Sequence, residues 1–123
     1  MAIAVLLSGC TNLNNNKQLQ NEKIDIAIKV IAHNETIFDE NLSVAKGISA
    51  MEALQKLALV ETKSYSLGKF ITSIAGINAS AENYWAFYID EEYANVGADA
   101  YKIEKPVELT FKLESLSNFS EES

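Results

Sequence analysis

Arginine is missing from this chain, and its ten lysines are scattered. Phosphate contacts need clustered Lys and Arg, and the net charge is −7, so nucleic acid is excluded as a partner. The same acidity is a poor electrostatic match to anionic lipid. Histidine occurs once, at His33. A Ser/His/Asp set would have to use it, and no nucleophile motif lies near. G-x-G-x-x-G and the P-loop are both absent. Carboxylate pairs can be drawn anywhere among 17 acids and carry no weight. An enzyme is therefore not expected. Nor is a metal site. The run Asp90-Glu91-Glu92, with Asn95 and Asp99, offers oxygen ligands of the kind calcium takes, but it lacks the Gly and the spacing of an EF-hand loop and reads as a solvated acidic turn. No apolar run is long enough to span a bilayer.

What is present fits one small domain. The chain has 123 residues, 48% of them hydrophobic and 22% charged, which is ordinary for a globular protein. Its start differs from the rest. Residues 1–9 are mostly apolar and end in Leu7-Ser8-Gly9, followed by Cys10, the one cysteine. This resembles a bacterial lipobox. Small side chains precede the signal-peptidase cut, and the thiol takes the diacylglycerol. The expectation is a signal-peptide remnant over 1–9 and lipidation at Cys10, which anchors the chain to a membrane and leaves no free thiol. No Lys or Arg precedes Cys10, so the start is expected to be truncated, with basic residues encoded upstream. Residues 10–23 are rich in Asn and Gln and read as a disordered tether from the lipidated Cys.

The folded domain is placed at 24–114, with a polar, acidic tail at 115–123. Ile24, Ile26, Ile28 and Val30 alternate with Asp25, Ala27 and Lys29, a half-buried strand. His33-Asn34-Glu35 is a turn, and Ile37–Val44 a returning strand. Ser49 and Glu52 form an S-x-x-E capping box opening a helix. Ala50, Leu54, Leu57 and Ala58 share its apolar face, and the pattern predicts three turns ending near Val60–Thr62. Lys69–Ile77 reads as a strand ending at Gly76, and Asn78–Asn83 as a polar loop. Val107, Leu109, Phe111 and Leu113 alternate with Glu108, Thr110 and Lys112 in a last strand behind Pro106.

The richest stretch is Tyr84–Asp99, which holds the one Trp and three of the five Tyr. Its strand puts Trp85, Phe87 and Ile89 on one face and Tyr84, Ala86 and Tyr88 on the other. Both faces are apolar or amphipathic, which suits a central strand. Asp90-Glu91-Glu92 turns the chain, and Tyr93 begins the return. Order and composition give an α+β fold, β-grasp-like, with one helix packed on a mixed, mostly antiparallel sheet.

Ala53-Leu54 in the helix, Ile74-Ala75-Gly76-Ile77, and Tyr84-Trp85-Ala86-Phe87-Tyr88-Ile89 come in an order that resembles one family. It is similar to the carboxy-terminal domain of transcobalamin and intrinsic factor, and to bacterial lipoproteins of unknown function that carry this domain alone. The resemblance implies a β-grasp-like fold and a module that covers one face of a corrinoid. The chain departs from the family at the hairpin turn, where Asn-Gly is usual and suits positive φ, and where Gly-Asp commonly precedes the last strand. It also contains no helical barrel to hold the rest of a corrinoid, so such a role needs another protein to supply one, and no contact residue is carried over because no ligand motif matches position by position.

Tyr84, Trp85, Tyr88 and Tyr93 are the ligand-binding candidates, because aromatics with polar tips are favoured at recognition surfaces. Trp85 is the one most suited to the core. The expected function is a cell-surface lipoprotein, exposed outside the cytoplasm on the cell envelope, whose module binds a small molecule for uptake. The alternative is an interaction or adhesion module that docks another envelope protein.

Overall fold

A computed structural model of the chain describes residues 22–116. The lipidation candidate Cys10, the tether up to Asn21 and the tail beyond Leu116 lie outside the described residues.

Eight strands and one described helix build the domain. Strands β1 (Lys23–Ala32) and β2 (Glu35–Ala45) form the opening hairpin. Its two turn residues, His33 and Asn34, have φ of 55° and 65°. This left-handed pair matches the twist of the flanking strands. β1 buries Ile24, Ile26, Ile28, Val30 and Ala32 and turns the alternate residues outward.

Helix α1 is Ala50–Gln55, six residues rather than three turns. The capping box is formed: Ser49 Oγ accepts from the Glu52 amide at 3.0 Å, and the Glu52 carboxylate accepts from the Ser49 amide at 2.8 Å. The predicted continuation to Val60–Thr62 is instead strand β3 (Val60–Tyr65), which pairs with β4 (Gly68–Ile74). Val60 and Thr62 are β-branched, and a partner strand is available, so pairing overrides the helical spacing of the preceding apolar residues. So short a helix is marginal alone. It persists because Ala50, Met51, Ala53 and Leu54 are buried in the core.

β4 ends at Ile74, and beyond the Ala75-Gly76 turn Ile77 and the first residue of the expected 78–83 loop form a two-residue strand, β5 (Ile77–Asn78), which completes a small antiparallel sheet in the order β3-β4-β5. Strand β6 (Asn83–Ile89), the two-residue β7 (Glu92–Tyr93) and β8 (Glu108–Ser115) complete the main sheet, in the order β2-β1-β8-β6-β7. β1 and β8 are parallel; the other pairs are antiparallel. The fold is thus α+β, with a mixed sheet, a small antiparallel sheet and one short helix.

The inner face of the main sheet and α1 share one core. Leu109 and Phe111 of β8 are fully buried, as are Ile28 and Val30 of β1 and Leu54 of α1. Phe87 and Phe111 face each other in register and stack at 5.0 Å and 15°. The 97–103 segment straps the helix start to the sheet. The Ala50 and Met51 amides donate to Tyr101 and Ala98 carbonyls at 3.0 and 2.9 Å, and Gly47 and Ile103 amides donate to Ile103 and Ile48 carbonyls. With the Glu52 amide held by Ser49, the first amides of α1 are satisfied within the chain, and the helix start offers no open anion site.

Candidate ligand-binding cleft

β6 lies between two strands, as its two apolar faces suggest, but only one of them covers it fully. β8 pairs along all of it, whereas β7 reaches only Tyr88 and Ile89. Over its first half the other edge of β6 borders β4 of the small sheet and the 94–98 segment. A cleft of about 280 Å³ opens there, walled by Phe70 and Ile71 of β4, Trp85 and Phe87 of β6, Met51 of α1 and the chain from Tyr93 to Ala98. Because it follows an edge, both faces of β6 reach it: Tyr84 from the outer face, Trp85 from the inner.

The walls are held by specific bonds. Asp90 and Glu91 make the turn with φ of 50° and 72° although neither is glycine or asparagine. Asp90 compensates by clamping β8. Its amide donates to the Glu108 carbonyl at 2.8 Å, and its carboxylate accepts from the Glu108 amide at 2.9 Å. Beyond β7 the Ala94 amide donates to the Phe87 carbonyl at 2.9 Å, which leads the return strand along the cleft. Trp85 is buried, and its indole Nε1 donates to the Ile77 carbonyl at 3.1 Å, joining the main sheet to the small one. At the far end the Asp99 carboxylate accepts from the Lys69 amide at 3.3 Å.

The tyrosines form a second layer on the outer face. Tyr88 and Tyr93 are register partners with rings edge-to-face, centroids 5.6 Å apart. The Tyr88 hydroxyl donates to the Glu114 carboxylate on β8. Burial holds the Tyr84 hydroxyl well above the ordinary phenol range, aided by its hydrogen bond with Tyr93 and by the nearby Glu114 charge. The Tyr84 phenol is a neutral hydrogen-bonding group.

Three of the four candidate residues, Tyr84, Trp85 and Tyr93, therefore meet at one cleft. Tyr88 instead lines a separate depression of about 250 Å³ on the outer face, with Lys29, Glu108 and Lys112. Lys29 and Glu108 pair there at 3.8 Å. Sequence reasoning did not assign Met51, Phe70 or Ile71 to the site. Phe70 carries a signal, an aromatic beside the Gly68 turn; Met51 and Ile71 carry none. Among the described residues no group of three or more His, Cys, Asp or Glu side chains is placed to hold a metal ion.

A family model described as "Domain of unknown function (DUF4430)" matches residues 47–115, more than half of the chain. The chain belongs to the DUF4430 family. The matched segment runs from the turn before α1 to the end of β8 and so contains the whole cleft. No curated protein matches this DUF4430 chain. Among solved structures it is similar to haptocorrin, crystallised in complex with Cbi, at 22% identity and a TM-score of 0.69. That likeness covers 77% of this chain and 26% of the haptocorrin chain, so the DUF4430 chain spans about a quarter of that protein. It is also similar to a protein from Ruminococcus gnavus described as a candidate metal binding protein, at 22% identity and a TM-score of 0.62, over 75% of this chain and 97% of that one. At such identity the likeness is one of fold, and it agrees with the transcobalamin-like domain that the sequence suggested.

Proposed function

We propose that this DUF4430 domain is a small-molecule-binding module of a cell-envelope lipoprotein, anchored through Cys10, and that the cleft along the β6 edge is its binding site. The observation that carries the reading is the convergence of Tyr84, Trp85 and Tyr93 with Phe70 on one open cleft. Such a site offers ring faces for contact and a few hydroxyls for orientation. Its volume is at or below the small end for a drug-sized ligand, so a large planar molecule such as a corrinoid would seat one edge here and leave the rest for another protein to cover. The fold shared with haptocorrin supports this reading. So does the strand order of the main sheet, second-first-last with β6 beside the last, which we read as a β-grasp arrangement.

The test is a fluorescence titration of the full chain carrying Cys10→Ser, with cobalamin, cobinamide and haem as probes and Trp85 as reporter. The expected result is saturable quenching beyond an inner-filter control. Tyr93→Ala abolishes it and Tyr88→Ala, away from the cleft, retains it. Absence of quenching at about 100 μM, which reveals sites tighter than roughly −5.5 kcal/mol, refutes the tetrapyrrole class. The anchor is tested separately by mass spectrometry of Cys10 in the chain expressed with its natural upstream sequence.

A further inference from the structure

The arm formed by β3 and β4 carries features that the core does not use and that the cleft uses only through Phe70 and its neighbours on β4. β3 pairs with β4 alone, and every residue from 61 to 67 is exposed, so the outer arm has no layer on either face. At its apex Leu67 is 89% exposed. Just behind it Tyr65 and Phe70, each half exposed, hold their rings 5.0 Å apart, and the Lys63 ammonium lies 5.6 Å from the Tyr65 ring centroid. Solvent-facing clusters of large apolar side chains mark contact surfaces.

Charge narrows the kind of contact. Residues 62–81 include Lys63 and Lys69 and not one Asp or Glu, in a chain whose net charge is −7. Glu61 stands at the base of the arm, and the half-buried Asp99 carboxylate reaches the turn beside Gly68, where the Lys69 amide donates to it. The exposed side chains of the hairpin tip itself are thus basic and apolar in an acidic molecule, and they complement an anionic surface. Shape narrows it further. A stable protein interface buries roughly 1,000 Å² or more with close complementarity, whereas one turn offers three large side chains on a convex end. A bilayer accepts a convex tip without a matching pocket. Tyr rings settle at headgroup level, and Lys stems reach past apolar groups to phosphate.

We propose that the β3–β4 tip is a membrane-interface contact. Leu67 and the Tyr65–Phe70 pair enter the headgroup–acyl boundary of an anionic bilayer, and Lys63 and Lys69 meet lipid phosphates. The proposal takes from the reading above only that the chain is held beside a membrane. Tethering raises the effective concentration enough for a weak contact to be populated. Phe70 belongs both to the tip and to the cleft wall, so the contact sets the cleft facing the lipid surface.

The test uses the full chain with Cys10→Ser, held on vesicles by an N-terminal His-tag and a nickel-chelating lipid. A polarity-sensitive fluorophore is placed on Ser66→Cys. On vesicles of phosphatidylglycerol and phosphatidylcholine the probe should shift to the blue and be quenched by lipids spin-labelled near the headgroup. The same probe on Asp39→Cys in β2 should do neither. Leu67→Asp, or Lys63→Glu with Lys69→Glu, should abolish the shift with unchanged circular dichroism. On phosphatidylcholine alone it should weaken at least about tenfold. A tip probe that stays in water on tethered anionic vesicles overturns the proposal, as does a shift that appears without lipid on mixing with a second copy or with envelope protein. Because the tether replaces the acyl anchor and no ligand is added, failure here is separable from failure of the lipoprotein or ligand readings.

Discussion

Replacing Trp85 by phenylalanine should loosen the small sheet from the main one. The indole Nε1 bond to the Ile77 carbonyl, 3.1 Å long, is a direct tie between β6 and the β4–β5 turn. At the opposite end of the cleft the Lys69–Asp99 bond, longer and exposed, ties β4 to the 97–103 segment. Phenylalanine keeps the six-membered ring but removes the donor and the volume of the pyrrole part. The lost hydrogen bond contributes about 0.5–1.5 kcal/mol, and the half-buried Ile77 carbonyl is left to water or to nothing. The cavity at a site only 8% exposed adds roughly 1–2 kcal/mol. The total is about 1.5–3.5 kcal/mol, which for a domain of this size lowers the melting temperature by roughly 6–28 °C. The assay is urea and thermal unfolding followed by circular dichroism, since the variant has lost its fluorophore. A change below about 0.5 kcal/mol would refute the reasoning, because the indole would then be neither packed nor bonded as described. An unchanged midpoint with a changed slope would show that the small sheet was already uncoupled in the parent.

Five other outcomes follow. Phe111→Ala removes a fully buried ring stacked on Phe87 and should cost about 3–5 kcal/mol in chemical denaturation. Ser49→Ala breaks the capping box and should cost about 1 kcal/mol. The Glu52 carboxyl is held below its usual range, chiefly by the Ser49 amide, so its stabilisation is present above the unfolded value and is lost as pH falls through the folded one. The stability gap between the parent and Glu52→Gln should therefore close on acidification. Burial raises the phenols of Tyr84 and Tyr101, so their contribution is present below about pH 10 and is lost as pH rises through their folded values. Ultraviolet phenolate titration of the native chain should place both midpoints above the ordinary tyrosine value of about 10; unshifted midpoints with an intact circular dichroism spectrum would contradict their burial. Glu91→Gly relieves a left-handed backbone at φ 72° and should stabilise by about 0.5–1 kcal/mol, read as a raised urea midpoint.

The elements that could be read from the chain are those whose own residues bury a face. β1 and β8 alternate because one side of each meets the core, and Ile24 to Ala32 and Val107 to Phe111 are buried as the period predicts. The capping box and the His33-Asn34 turn are local chemistry and appear where the residue types put them. β3 could not be read this way. Its residues, Val-Glu-Thr-Lys-Ser-Tyr, bury no face, and it is a strand only because β4 pairs with it. The parallel pairing of β1 with β8 joins the two ends of the domain. No local pattern encodes which strand lies beside which.

The cleft was legible as a composition but not as a place. Tyr84, Trp85, Tyr88 and Tyr93 stand out in any reading of the chain, yet alternation alone sets Tyr84 with Tyr88 and apart from Trp85. The structure pairs them differently because the cleft follows an edge, not a face. That edge exists because β7 stops after Glu92–Tyr93 and the chain turns at Gly97 toward α1, where the Met51 and Ala50 amides take its carbonyls. A longer β7 would cover β6, close the cleft and bury Trp85 from both sides. The return strand's early end is thus what turns a core strand into a candidate binding surface, and it is set by the demand of the helix start for hydrogen-bond acceptors. The residues that make this demand lie some fifty positions before Tyr101, out of reach of any window that reads the aromatic stretch alone.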